Sequence, residues 1–130
     1  MLFRSENYKN DELVSDVVHE AFASASKYEN VRQEYPVKAV EFFLNKLGLR
    51  GEDLTRVTNT GTDRPCTILE LGCGTGKFTR VMLKVLKGKN VKVVASEPVT
   101  SMCEQFRLMV PDTEIIQCTA EKIRKFVYLI

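Results

Sequence analysis

The chain has 130 residues, 19 Lys and Arg against 17 Asp and Glu, a net charge of +2, 44% hydrophobic and 28% charged residues. That is one domain's length with a globular composition, which excludes collagen-like, coiled-coil and disordered chains. So small a net charge draws the whole molecule to neither nucleic acid nor an anionic membrane, no run of about 18 apolar residues exists to span a bilayer, and the start lacks the apolar stretch of a signal peptide, so a cytoplasmic location is expected.

The first half reads as helical. Leu13, Val14, Val17, Val18, Ala21, Phe22 and Ala25 recur at the 3, 4 spacing of one helix face, with Asn10 as N-cap and Asp11 and Glu12 in the first turn. His19, the one histidine, falls in this stretch with no advertised partner and reads as an ordinary helix-face residue. A second helix starts at Pro36, carries Val37, Val40, Phe43, Leu44 and Leu47 as its apolar stripe, and ends at Gly48. Residues 1–48 thus form an N-terminal helical region. The polar run 49–65, with Gly51, Gly61 and Pro65, is a loop.

From residue 66 the pattern alternates. Residues 67–71 read as a short strand followed at once by glycines, 77–87 as a helix ending at Gly88, and 91–96 as a second strand. Thr100 or Ser101 opens another helix, with Ser101-x-x-Glu104 in capping-box spacing, which stops before Pro111; residues 114–118 are a third strand. Strand, helix, strand, helix, strand implies right-handed crossovers and a parallel sheet, so the fold class is α/β. The tail 126–130 is an apolar run of strand formers, too close to the third strand to return as a parallel neighbour.

Cys66, Cys73, Cys103 and Cys118 contain no Cys-x-x-Cys pair, so they read as reduced small hydrophobes and no metal site is expected. Lys77, Arg80, Lys84 and Lys87 fall on one face of a helix, with no acid between residues 71 and 96. Only Phe78 is available there for base stacking, so a solvated face is the expectation and nucleic acid is not an expected partner.

The chemistry centres on Glu70-Leu71-Gly72-Cys73-Gly74-Thr75-Gly76, where a strand feeds a glycine turn that opens a helix. A dinucleotide fingerprint, G-x-G-x-x-G, requires its third glycine where Lys77 stands; a phosphate-binding loop requires a glycine at Leu71 and a hydroxyl at Phe78. Both alternatives fit poorly. A turn without any ligand would explain the glycines but not the acid at Glu97, which ends the second strand.

Those residues resemble the first motif of the class I S-adenosylmethionine-dependent methyltransferases, an acidic residue followed by G-x-G-x-G. Glu97-Pro98, with Met102 soon after, and Tyr28-x-x-x-Arg32-x-x-Tyr35-Pro36 resemble the type 11 branch that includes trans-aconitate methyltransferase. The likeness covers roughly residues 20–123. It implies a Rossmann-like parallel sheet, incomplete at about three strands, over residues 66–130. It implies S-adenosyl-L-methionine as cofactor and a small molecule as substrate. By the same resemblance Gly72 and Gly74 lie against the methionine part, Gly76 completes the cofactor-binding turn, Glu70 orients groups around its amino end, and Glu97 holds the ribose. Met102 packs near the adenine, and Thr119 and Ala120 edge that ring, with Thr119 standing where the family usually has an Asp.

The family's sheet has seven strands with the first one central, so a chain reaching only the third strand is expected to be the cofactor-binding half of a truncated enzyme. No residue is named as catalytic. The rival expectation is a non-enzymatic cofactor-binding or protein-interaction module; a weaker one is a dinucleotide-dependent enzyme. The open edge of the first strand, or the tail, is the expected route of any self-association.

Overall fold

The computed structural model describes residues 24–49 and 66–127. Nearly all of the helix expected from Asn10 to Ala25, including His19, lies outside the described residues, as do 50–65 of the expected loop and 128–130 of the tail. The described elements are α1 (Ala25–Val31), α2 (Val37–Lys46), β1 (Cys66–Leu71), α3 (Lys77–Val85), β2 (Val91–Ser96), α4 (Thr100–Met109), β3 (Glu114–Ile116), a 3₁₀ turn (Ala120–Lys122) and α5 (Arg124–Val127). The class is α/β, a partial Rossmann-like arrangement of three parallel strands in the order β1-β2-β3. Cys66 pairs with Val91 and Leu71 with Ser96; Val94 pairs with Glu114 and Ser96 with Ile116.

Val91–Ser96 forms because a β-branched run is buried along its second half, with Val94 and Ala95 fully enclosed. β3 stops two residues short of the expected strand. The last bond to it is Glu97 N–H to Ile116 O at 3.1 Å, and beyond Ser96 the neighbouring chain turns away, so Gln117 and Cys118 have no strand to pair with.

α2 begins one residue later than the sequence suggests, with Pro36 as N-cap. Its end is a Schellman motif: Leu49 N–H reaches Leu44 O at 3.0 Å and Gly48 N–H reaches Asn45 O at 3.1 Å, with Gly48 at φ +79°. Val40 and Leu44 bury against Val81, Met82 and Leu86 of the α3 segment and Val93 of β2. Phe43 stays half exposed and meets Phe78 edge-on at 5.8 Å.

Three local features differ in detail from the sequence reading. The seven-residue helix α1 falls inside the expected helical region, at a place where the sequence marked only a signature. α4 opens at Thr100, one of the two expected starts, but with Val99 as N-cap and no side chain capping it, so the Ser101-x-x-Glu104 spacing is not the box that starts it. The tail's first residues, Phe126 and Val127, though strand formers by type, close a helical turn onto Ile123 O at 2.8 and 3.2 Å. Among the described residues no helix is long and apolar enough to cross a membrane, and no cluster of His, Cys, Asp and Glu could hold a metal.

Candidate functional site

The C-terminal ends of parallel strands are where open α/β sheets hold ligands. Here β1 ends at Leu71 and passes into a turn with Gly72 at φ +68°, Gly74 at +57° and Gly76 at +94°. The turn is pinned to β2 by Cys73 N–H donating to Ser96 O at 3.0 Å. Gly76 is the N-cap of α3 and answers to packing as well as to conformation. A Cβ there would stand 2.6 Å from Val110 Cγ2 and 3.0 Å from the Phe106 ring. The third glycine thus lets the turn lie on the end of α4, and it does not line the cleft described below.

Glu97, one residue past β2, is 7% exposed. Its Oε2 accepts from Gly74 N–H at 2.9 Å and its Oε1 from Val99 N–H at 3.1 Å. One carboxylate therefore ties the glycine turn to the start of α4. Burial pushes its pKa above the ordinary glutamate value, against the two backbone donors that favour the ionised form. Glu70, half-buried on β1, accepts from the Thr79 hydroxyl at 2.6 Å; burial likewise raises its pKa over the opposing effect of that bond. Burial, with Glu70 and Glu97 nearby, also pushes the Cys73 thiol far up, and burial and Glu97 raise that of Cys103 to about 12. These thiols are therefore poor nucleophiles. Cys66 is exposed, and no disulfide joins the four cysteines.

A cleft of about 200 Å³ opens between the turn and the α1–α2 segment. Gly72, Gly74 and Glu70 line one wall, and Tyr28, Arg32 and Tyr35 line the other. Arg32 lies over the Tyr28 ring at 5.2 Å, and Tyr35 meets Phe78 edge-on at 5.3 Å. An acid, a base and backbone amides around one glycine floor suit a small zwitterionic group. The volume is below the roughly 300–1,000 Å³ of ordinary ligand pockets, so this cleft takes one end of a larger ligand.

Of the remaining expected site residues, Met102 packs inward against Ala25 and Val99. Thr119 is buried, its hydroxyl making no well-formed hydrogen bond and only a loose approach to the Glu121 carboxylate. Ala120 is exposed at the start of the 3₁₀ turn. Glu70, Gly72 and Gly74 therefore share one cleft, Glu97 joins them through Gly74, and Met102, Gly76 and the 119–120 pair lie outside its lining.

The residue that sequence reasoning missed is Glu29 of α1. It accepts from the Thr75 hydroxyl and from Arg80, and Lys77 Nζ stands 3.8 Å from its Oε1. Burial would raise its pKa, but the bonds from Thr75 and Arg80, with the charges of Arg80 and Lys77, hold it below the ordinary value. The signal was present in the chain: Lys77 and Arg80 sit in the first turn of a helix, where the dipole repels cations, so an acid from elsewhere was needed. The basic face accordingly divides. Lys77 and Arg80 turn to Glu29, Lys92 pairs with Glu114 at 3.3 Å, and Lys84 and Lys87 remain exposed.

No known protein-family model matches the chain. It is 30% identical over 104 residues to an uncharacterized methyltransferase of Mycobacterium bovis, and equally so to uncharacterized methyltransferases of two strains of Mycobacterium tuberculosis. The match takes in 79% of this chain and 34% of each relative, so the chain spans about a third of the length of the curated relatives it matches.

Proposed function

We propose that this chain carries the S-adenosyl-L-methionine-binding part of a class I methyltransferase acting on a small molecule. The observation that carries the reading is the bond from Gly74 N–H to Glu97: it brings the glycine turn after β1 and the acid after β2 to one point at the ends of the strands. The relatives named methyltransferases support the transferase part of the reading. The glycine spacing speaks against a dinucleotide, because Lys77 occupies the place of the third glycine.

The residues present fit such a cofactor at its amino-acid end. Glu70 would face the ammonium, Arg32 the carboxylate, and Gly72 and Gly74 would let the backbone approach closely. Glu97 would take the ribose hydroxyls on the acceptor capacity its two backbone bonds leave open. The buried Thr119 hydroxyl, short of a good partner, suits an adenine edge. The cofactor supplies a methyl group already activated on a sulfonium, so positioning the acceptor provides much of the rate. The chain's own part is to bind and orient, and no side chain here is assigned a proton transfer.

The test is calorimetric titration with S-adenosylhomocysteine and with NAD. Tighter binding of S-adenosylhomocysteine is expected; equal or preferential NAD binding would sink the reading. Glu97→Gln, which keeps an acceptor for one backbone donor, should weaken S-adenosylhomocysteine roughly tenfold to a hundredfold, the value of about 1.5–3 kcal/mol in charge-assisted bonds.

A further inference from the structure

A carboxylate taken out of water is costly unless it is paired, and Glu29, 8% exposed, draws all its partners from one short stretch of chain. Thr75 lies inside the glycine turn and is fully buried; Lys77 and Arg80 follow it at the start of α3. Arg80 also reaches Glu34, on the connection from α1 to α2, at 3.6 Å. The turn is thus held at three successive residues. Gly74 is tied to Glu97, Thr75 to Glu29, and Gly76 lies on Phe106 and Val110. Two of these holds come from β2 and α4, which form the core. The third comes from α1, whose apolar seat is Ala25 and Tyr28 against Val99 and Met102.

We infer that Glu29 is a positioning residue: it locks the glycine turn through Thr75 and ties ligand binding at the cleft to the seating of α1. The inference rests on the cofactor reading for the identity of the ligand, but not for the coupling between α1 and the turn. Tyr28 and Arg32 of the far wall ride on the segment that Glu29 anchors, so a ligand touching both walls meets a preformed cleft only while that ion cluster holds. When α1 is unseated, apparent affinity falls in proportion to the fraction of molecules still competent.

The test uses the full chain and three variants, Glu29→Gln, Thr75→Val and Thr75→Ser, with two measurements on each. One is titration with S-adenosylhomocysteine. The other, without ligand, is amide hydrogen exchange followed separately over residues 25–31 and 72–76. Glu29→Gln and Thr75→Val should each weaken binding by about tenfold, the scale of one lost charge-assisted bond. Both should also speed exchange in both segments while leaving β2 unchanged. Thr75→Ser keeps the hydroxyl and should restore parental affinity and exchange, which a role in packing alone would not produce. The inference is overturned if exchange quickens only in 25–31, or if Thr75→Ser behaves like Thr75→Val. A parent chain that binds no S-adenosylhomocysteine would end the cofactor reading, and the exchange result would still decide the coupling. Should Glu29→Gln fail to fold, the two Thr75 variants carry the comparison.

Discussion

The glycine turn is held from two sides by different forces. Toward α4 the hold at Gly76 is apolar, against the buried Phe106 and Val110 in a cluster with Ala95, Cys103 and Ile115, beside the bond from Gly74 N–H to Glu97. Toward α1 it is ionic: Glu29 against Thr75, Lys77 and Arg80. An apolar contact does not titrate and depends on fit at the scale of a methyl group. An ion cluster depends on pH and on every member staying in place. The turn therefore has a permanent floor and a conditional wall, and the wall is the side that carries Tyr28 and Arg32.

The floor should give the largest effect. Phe106 is fully buried, so Phe106→Ala should cost about 3–5 kcal/mol in urea unfolding. Gly76→Ala tests the same contact from the other direction. The added methyl would stand 2.6 Å from Val110 Cγ2, so a loss of about 1–3 kcal/mol is expected from overpacking alone. Combining it with Val110→Ala should cost less than the sum of the two single changes, because each relieves the other. Strict additivity would show that the turn does not rest on α4.

On the other side, Glu29→Ala leaves Lys77 and Arg80 facing each other without their acid. A fully buried pair broken in this way costs roughly 3–5 kcal/mol, but both cations have a route to water and Arg80 keeps Glu34, so about 2–3 kcal/mol is expected. A cost under about 0.5 kcal/mol, the size of an ordinary surface change, would mean that the cluster is decorative and the two sides do not differ as argued.

This division also explains what could be read in the sequence. Val91–Ser96 was legible to the residue, because a β-branched run between a glycine-containing turn and Glu97 leaves little choice. The glycines were legible because left-handed backbone and close approach both demand them. α1 was not legible: Ala25–Val31 buries only Ala25 and part of Tyr28 on its apolar side, and the charge that ties it to the turn has partners some fifty residues away. The start of α4 at Thr100 was one of the two expected, but its cap was misread for a related reason. Ser101-x-x-Glu104 has the right spacing for a box, yet Glu97, fixed by the strand before it, serves the Val99 N–H from outside the helix. Local pattern finds what local physics decides, and these contacts are decided by tertiary structure.

Acid separates the two sides further. Glu29 is held below the usual glutamate value, so its contribution is present above its unfolded pKa and is lost as pH falls through the folded one. Glu70 and Glu97 are raised, chiefly by burial, so their contribution is complete below the unfolded pKa and is lost as pH rises through the folded one. Lowering the pH from neutral should therefore first add to overall stability as Glu70 and Glu97 take up protons, and only below about 4.5, the ordinary glutamate value, release α1. Carboxyl resonances followed by NMR, with exchange over 25–31 as the second signal, would check this order. Loss of α1 protection at a pH well above that value would contradict it.

The smallest effect lies at the far end of α3, where the contrast reappears within one helix. Lys77 begins α3 against the positive end of the dipole and is tolerated there because Glu29 faces it. Lys84 stands in the last turn, exposed, where the dipole favours a cation and no acid is needed. Removing it forfeits only that terminal interaction, which at an exposed site is worth a few tenths of a kcal/mol and is weakened by salt. Lys84→Ala should therefore change stability by less than about 0.5 kcal/mol, and the change should shrink further as salt is raised. Lys77→Ala should respond differently, because two terms oppose each other: the lost attraction to Glu29 and the relieved repulsion at the helix start. If Lys84→Ala instead cost more than Lys77→Ala, the exposed half of α3 would be the engaged one, and the division of the basic face between Glu29 and solvent would have to be abandoned.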